Sequence, residues 1–73
     1  MTPYNGHRSW AAWNVSLWLS NDEALYYRAL DLAKSKGPHK AASILLTELP
    51  KKTPDGAAYT HTNIYLAIKD FVD

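Results

Sequence analysis

The sequence predicts an all-α fold, a compact single domain of four helices preceded by an irregular N-terminal arm. Apolar residues recur at helical spacing in four segments, signals for helix ends separate these segments, and the connections are short. Short connections favour neighbouring helices packed around one centre. We expect one domain over residues 1–73, with helices at about 10–19, 21–36, 38–49 and 61–72.

The start of the chain combines turn residues with a helix cap. Pro3 and the pair Asn5-Gly6 are typical of irregular structure, so residues 1–8 are interpreted as the arm. Ser9 has the side chain of a helix N-cap, because its hydroxyl can accept a hydrogen bond from a free amide of the first turn. The first helix is therefore predicted to begin at Trp10.

Three tryptophans fall within nine residues of this first helix, at Trp10, Trp13 and Trp18. An aromatic side chain buries roughly 150–250 Å², so these rings fit either the centre of a small core or the anchor of an interface. Three such rings exceed what a domain of this size normally encloses. We expect Trp10, together with Tyr4, to lie partly at the surface.

The second helix is predicted to begin at a capping box and to end at a glycine. Ser20 and Glu23 have the spacing at which each side chain satisfies the other residue's amide, and Asp22 complements the helix dipole. Gly37 followed by Pro38 indicates an end near Lys36 and an immediate restart.

The last two helices are separated by the longest connection, residues 50–60. Pro54 and Asp55-Gly56 have the chemistry of a tight turn. They allow a short hairpin, although apolar and polar residues do not alternate in the segments that flank the turn. The final helix is capped by Thr60 or Thr62. The predicted inward-facing residues of these two helices are Ala42, Leu45, Leu46, Leu49, Ile64, Ala67, Ile68, Phe71 and Val72.

Composition excludes several classes of protein. The chain has 73 residues, no cysteine and a formal charge of +1, which argues against a disulfide scaffold, a general polyanion binder and a DNA mimic. It lacks a signal peptide and an apolar run near the roughly 18–20 residues that cross a bilayer. We expect a cytoplasmic protein with no membrane association.

Part of the N-terminal third has a specific pattern, Tyr4-Asn5-Gly6 followed by the run Trp-Asn-Val-Ser-Leu-Trp-Leu-Ser-Asn-Asp-Glu over residues 13–23. This pattern resembles a small uncharacterised family of phages and other mobile elements, whose members open with the same turn and a Trp-Asn-Val-x-Leu-Trp-Leu-x-Asn-Asp run. Ala12 stands where the family pattern prefers threonine. The resemblance implies a phage-like origin and transfers no activity or catalytic residue.

Asn14 and the three histidines are the polar residues of the sequence that could form a buried or metal-binding site. Asn14 lies between large apolar neighbours, so a buried amide there needs partners. The backbone of the Tyr4-Asn5-Gly6 arm is the candidate partner.

The histidines do not have the spacing of a metal site. They lie in different connecting or terminal regions, and none has a second metal ligand three or four residues away: His7, His39 and His61. Neither a nucleophile and base pair nor a phosphate-cradling glycine loop is evident. We expect no enzyme activity, no metal and no cofactor.

The junction of helices two and three collects cations beside a helix N-terminus, where an anion is favoured. The candidate residues for an anion or nucleotide are Lys34, Lys36, His39, Lys40, Lys51 and Lys52. A solvated basic turn is the simpler interpretation. If Tyr59 or Tyr65 lay nearby, its ring would supply a base-stacking surface. A helix-turn-helix is poorly supported, since the third helix holds one lysine and no arginine.

The hypothesis that follows is a small phage-type accessory protein that binds a host or defence protein as an inhibitor or modulator. Its anchor candidates are Tyr4, Trp10, Trp13, Tyr26 and Tyr27, with a homodimer through the same surface as the companion expectation. Asn14, Trp18, Ser20 and Glu23 are assigned structural roles. The alternatives are a nucleotide or nucleic-acid binder and a structural accessory of a larger complex.

Overall fold

The computed structural model describes residues 9–72, and this part of the chain is built from four helices. They are α1 (Trp10–Asn21), α2 (Glu23–Lys36), α3 (Pro38–Glu48) and α4 (His61–Val72). The all-α architecture predicted from the sequence is confirmed, and the predicted arm lies outside the described residues. The longest of these helices has 14 residues, and none of the four meets the length and apolarity needed to cross a membrane.

Two helices form the middle of the domain. α2 and α4 each pack against the other three helices, whereas α1 and α3 do not touch one another within the described residues. α4 has its most extensive contacts with α1 and α3, so it packs between these two helices.

Several predicted helix ends are confirmed. The Ser9 hydroxyl accepts a hydrogen bond from the Ala12 amide at 3.2 Å, which caps α1. Gly37 has a φ of 87°, a backbone region open to glycine, and Pro38 begins α3 directly after it. Of the two candidate caps for α4, Thr60 holds the position, because its hydroxyl accepts from the Asn63 amide at 3.1 Å.

The predicted capping box of Ser20 and Glu23 is wrong. α1 continues to Asn21, and the Ser20 hydroxyl donates to the Leu17 carbonyl at 3.1 Å within its own helix. Asp22 caps α2 instead, with its carboxylate accepting from the Leu25 amide at 3.1 Å. One extended residue at Asp22 is enough to separate the two helices, so the boundary falls two residues later than predicted.

The connection between α3 and α4 contains a minimal hairpin. Lys52 and Ala58 form an isolated antiparallel bridge, and the Thr53 amide donates to the Ala57 carbonyl at 2.8 Å. The turn ends at Gly56, whose φ of 95° is the left-handed conformation that glycine adopts readily. The turn predicted at Asp55-Gly56 is therefore confirmed, with pairing limited to this single bridge.

The core is built from small and aliphatic side chains. Seven of its thirteen buried hydrophobic residues are alanines, and its largest fully buried apolar side chains are Leu19, Leu45, Ile64, Ile68 and Val15. Interiors pack without voids, so short side chains imply close approach of the helix backbones. Tyr59 is the one aromatic residue of this core among the described residues, and no tryptophan belongs to it.

Two residues assigned to the inner faces lie outside, and those assignments are wrong. Leu46 is 39% exposed because its neighbours Ala42 and Leu45 take the inward positions of α3. Val72 is 46% exposed as the last residue of α4, one position after Phe71.

Enlarging a core alanine is expected to destabilise the domain. Ala67→Leu adds volume at a fully buried position of α4, and overpacking of this kind costs about 1–3 kcal/mol. Urea unfolding should therefore show a lower midpoint than for the unchanged protein. Ala24→Leu makes the same change at an exposed position of α2 and should leave the midpoint nearly unchanged. Equal midpoints for both variants would contradict the close-packed core.

Candidate functional site

The tryptophans of α1 frame the core rather than fill it. Trp10 is 41% exposed, while Trp13 and Trp18 are half-buried. The inward face of α1 is formed by smaller residues, among them Val15 and Leu19. The expectation that Trp10 reaches the surface is confirmed, and Tyr4, its proposed companion, lies outside the described residues.

A group of aromatic rings joins the start of α2 to the end of α4. The Tyr26 ring packs edge-on against the Phe71 ring, with centroids 5.0 Å apart, and against the Tyr27 ring at 5.7 Å. Tyr27 is 57% exposed, the largest exposed fraction among the large hydrophobic residues noted at the surface. We call Tyr26, Tyr27 and Phe71 the aromatic edge. It unites two anchor candidates with a residue that the sequence assigned to the core.

Asn14 is the most buried polar side chain of the domain as described, with 1% of its surface exposed. Its amide nitrogen donates to the Asp55 carboxylate at 2.9 Å, and its amide oxygen accepts from the Thr53 hydroxyl at 2.6 Å. Both partners lie on the hairpin between α3 and α4. The hairpin thus supplies a partner to each polar atom of this amide. The predicted partner, the Tyr4-Asn5-Gly6 arm, lies outside the described residues.

Two further hydrogen bonds complete this connection, which we call the hairpin clasp (Asn14, Trp18, Thr53 and Asp55). The Trp18 indole N–H donates to the same Asp55 oxygen at 3.0 Å, and the Thr53 hydroxyl accepts from the Ala57 amide at 3.0 Å. No buried side-chain polar atom among the described residues lacks a hydrogen-bond partner. The structural roles proposed for Asn14 and Trp18 thus correspond to holding the hairpin against α1.

The clasp determines the ionisation of its carboxylate. Hydrogen bonds from Asn14 and, to a smaller extent, from Trp18 stabilise the charged form of Asp55. They lower the pKa of this carboxyl below its ordinary value of 3.8. Desolvation acts in the opposite direction and is outweighed. Asp55 is therefore a charged carboxylate at neutral pH. Its oxygen accepts hydrogen bonds from Asn14 and Trp18 and has no proton to donate.

An open groove lies beside the clasp, between the hairpin and the start of α2. Its apolar lining includes Trp18, Leu25, Leu49 and Tyr59. Tyr59 is buried, and this burial raises the pKa of its phenol. Tyr59 therefore belongs to the core and offers no ring for stacking a base.

The basic turn between α2 and α3 forms a shallow open depression. Its lining includes Lys36, His39 and Lys40 together with Ser35, Gly37 and Pro38. Three of the six predicted anion-binding residues are thus brought together. Lys34 is exposed earlier on α2, and Lys51 and Lys52 are exposed on the hairpin, outside this lining.

Three aromatic rings stack beside the basic turn. The His39 ring lies 4.2 Å from the Tyr65 ring and 5.9 Å from the His61 ring, centroid to centroid, with interplanar angles of 15° and 14°. A ring nitrogen of His61 lies 3.1 Å from the His39 carbonyl oxygen, which links the start of α4 to α3. Lys69 holds its ammonium 5.8 Å from the centre of the Tyr65 ring.

The sequence analysis names Tyr65 as a candidate ring for base stacking. It misses that His61 and Lys69 lie beside this ring. A signal for both was available, because His61, Tyr65 and Lys69 recur at intervals of four residues and therefore share one stripe of α4. This spacing does not predict the position of His39, because His39 contacts Tyr65 only through the packing of α3 on α4.

The polar face of α3 is largely engaged within the domain. The Ser43 and Thr47 hydroxyls donate to backbone carbonyls of their own helix. Glu48 forms a two-pronged ion pair with Arg28 of α2, with Nε and Oε1 2.7 Å apart, and this contact raises the pKa of Arg28 and lowers that of Glu48. Among the described residues, no group of three or more potential metal ligands comes together.

Loss of the buried amide is expected to loosen the hairpin. Asn14→Ala removes the acceptor of the Thr53 hydroxyl and one donor to Asp55, and an unpaired buried polar group costs about 1–3 kcal/mol. Chemical denaturation should show this loss, and the indole N–H resonance of Trp18 should shift in proton spectra. Asn21→Ala, at an exposed position of the same helix, is the control. An unshifted Trp18 resonance in Asn14→Ala would contradict the clasp.

The clasp also predicts a dependence of stability on pH. Since the folded-state pKa of Asp55 lies below its unfolded value, its ionisation stabilises the fold above about pH 4, and this contribution disappears as the pH falls through the lowered pKa. Asp55→Asn removes the titrating group, so the stability difference between the two proteins should shrink on acidification. Urea unfolding between neutral pH and about pH 2 measures this difference. A difference that stays constant would contradict the prediction.

Comparison with known proteins gives a family for this chain. No curated protein and no solved structure gave a significant match. A family model matches residues 1–73, the full length of the sequence, and its description is a family of unknown function, DUF7249. The chain therefore belongs to this family, DUF7249.

Proposed function

We propose that this protein acts by binding another protein, with the aromatic edge and Trp10 as its anchors. The observation that carries the proposal is the exposure of Tyr27 while its ring contacts Tyr26, which is itself packed on Phe71. Tyrosine and tryptophan are enriched among the residues that dominate binding energy at interfaces. Trp13, half-buried on α1, is a peripheral contact in this proposal.

The aromatic edge is suited to binding because part of it is already fixed. Tyr26 packs on Phe71 from another helix, so its position does not depend on a partner. Tyr27 contacts Tyr26 and presents most of its ring to solvent. Ordering side chains on binding costs free energy, and rings held in place beforehand reduce this cost.

The finer part of the proposal concerns origin and partner. The resemblance of residues 4–6 and 13–23 to proteins of phages and mobile elements supports a phage-type accessory protein. On this proposal the partner is a host or defence protein in the host cytoplasm, and binding inhibits or modulates it. The same surface also fits a homodimer or a structural accessory of a larger complex. The proposal requires no enzyme activity, because binding alone produces the effect.

A second candidate function is binding of a nucleotide or nucleic acid at the basic turn. The observation that favours it is the stacking of Tyr65 on His39, which places an aromatic ring beside Lys36 and Lys40. Aromatic rings next to lysines are the usual components of surfaces that bind single strands.

Removal of the exposed tyrosine tests the first proposal. Tyr27→Ala should abolish enrichment of the partner when the tagged protein is used to capture proteins from lysate of the host cell, since truncation of an interface anchor commonly costs about 2 kcal/mol or more. Leu46→Ala is the matched control, because Leu46 is also a large exposed apolar residue but lies on α3. Quantitative mass spectrometry of the captured proteins is the readout.

The expected result is a protein enriched by the unchanged chain and by Leu46→Ala, and lost with Tyr27→Ala. Circular dichroism checks that both variants remain helical. Sedimentation at several concentrations shows whether the captured partner is a second copy of this chain. Identical sets of captured proteins for the two variants would contradict a role for the aromatic edge.

A further inference from the structure

We propose that the ring stack and the lysines around it form a binding surface for single-stranded nucleic acid. The surface consists of His39, His61 and Tyr65 with Lys36, Lys40 and Lys69. This inference rests on the second candidate function above and goes beyond it, because it narrows the ligand to a single strand and adds His61 and Lys69 to the site.

The rings supply the component that recognises bases. The planes of His39, His61 and Tyr65 lie within 15° of one another, although the residues come from two different helices. His39 is exposed, and its neighbours on α4 are half-buried. A base stacks on such a surface without regard to its identity, because every base has a π-face.

The lysines supply the component that recognises phosphates. Lys36 and Lys40 line the basic turn together with His39, and the ammonium of Lys69 is held over the Tyr65 ring. The three cations therefore border one continuous set of rings. α3 and α4 have no acidic residue in their first turns, so no carboxylate there offsets this positive charge.

The distribution of the cations favours a strand over a mononucleotide. The three lysines belong to three different helices, and Lys69 lies eight residues after His61, about 12 Å along α4. One phosphate group is too small to reach lysines at both ends of the stack. The depression at the basic turn is open to solvent and does not surround a ligand on all sides. A chain of several phosphates with unstacked bases fits both features.

The low net charge of +1 limits the expected strength and gives a quantitative signature. Each phosphate contact on a single strand contributes about −0.7 to the slope of log affinity against log salt concentration. Three lysine contacts predict a slope of about −2. A larger basic surface would give a steeper slope, and a stacking contact without ion pairs would give almost none.

The experiment compares two triple variants with the same change in charge. Fluorescence anisotropy follows labelled oligo-dT and oligo-U of about twelve nucleotides at about 50 and 200 mM salt. Lys36→Gln/Lys40→Gln/Lys69→Gln removes the proposed cations, and Lys34→Gln/Lys51→Gln/Lys52→Gln removes three exposed lysines outside the site. We expect the first variant to bind about tenfold more weakly, and the second to stay within about twofold of the unchanged protein.

The stacking component has its own pair of variants. His39→Ala removes a ring and should weaken binding severalfold, whereas His39→Phe keeps an aromatic ring and should retain most of it. A blunt duplex of the same length should bind more weakly than the single strand, since its bases are already stacked. Circular dichroism confirms that each variant is folded.

Several outcomes would overturn the inference. They are flat titrations at the lower salt concentration, equal loss in the two triple variants, equal binding of duplex and single strand, and mononucleotide binding as tight as that of the oligonucleotide. Tyr27→Ala lies outside this surface and should leave oligonucleotide binding unchanged. A failure here therefore leaves the protein-binding proposal standing, and a failure at Tyr27 leaves this inference untouched.

Discussion

The Asp55 carboxylate holds the hairpin between α3 and α4 against α1, by accepting hydrogen bonds from Asn14 and Trp18. Asn14 faces inward from α1, and a buried amide without partners would oppose folding. The hairpin supplies those partners from Thr53 and Asp55, so the longest connection of the domain is fixed in place. Fixing the hairpin also fixes where α4 starts, at the Thr60 cap. The positions of both candidate surfaces follow from that start, because α4 contributes residues to each.

The second constraint is the size of the core. An alanine-rich interior holds one aromatic ring of the described residues, that of Tyr59, and the other rings cover its edges or face solvent. α4 consequently has two aromatic regions. In the first half of α4, His61 and Tyr65 face α3. At the end of α4, Phe71 faces α2. Tyr65 and Phe71 are six positions apart, about 9 Å along the helix, and their rings contact different helices, so the two regions are separate surfaces.

The sequence predicted the elements of this fold better than their contacts. Helix ends that depend on local chemistry were predictable, as at Ser9, Gly37 and Thr60, because caps and positive-φ glycines act within a few residues. The error at Ser20 arose where Ser20 and Asp22 are both good caps, and local chemistry does not rank them. The partners of Asn14 and the stack of His39 on Tyr65 depend on how distant segments pack, and helical periodicity contains no information on that.

The span of the hairpin clasp bears on the order in which the chain acquires its structure. Its contacts between α1 and the hairpin join residues 37, 39 and 41 positions apart, while α2 and α3 are neighbours linked through Gly37 alone. Contacts of large sequence separation form late because they close long loops. During synthesis, α1 can contact α2, but it cannot form the clasp until the hairpin has left the ribosome. By this argument the local α2–α3 pair can form before the clasp fixes the hairpin against α1.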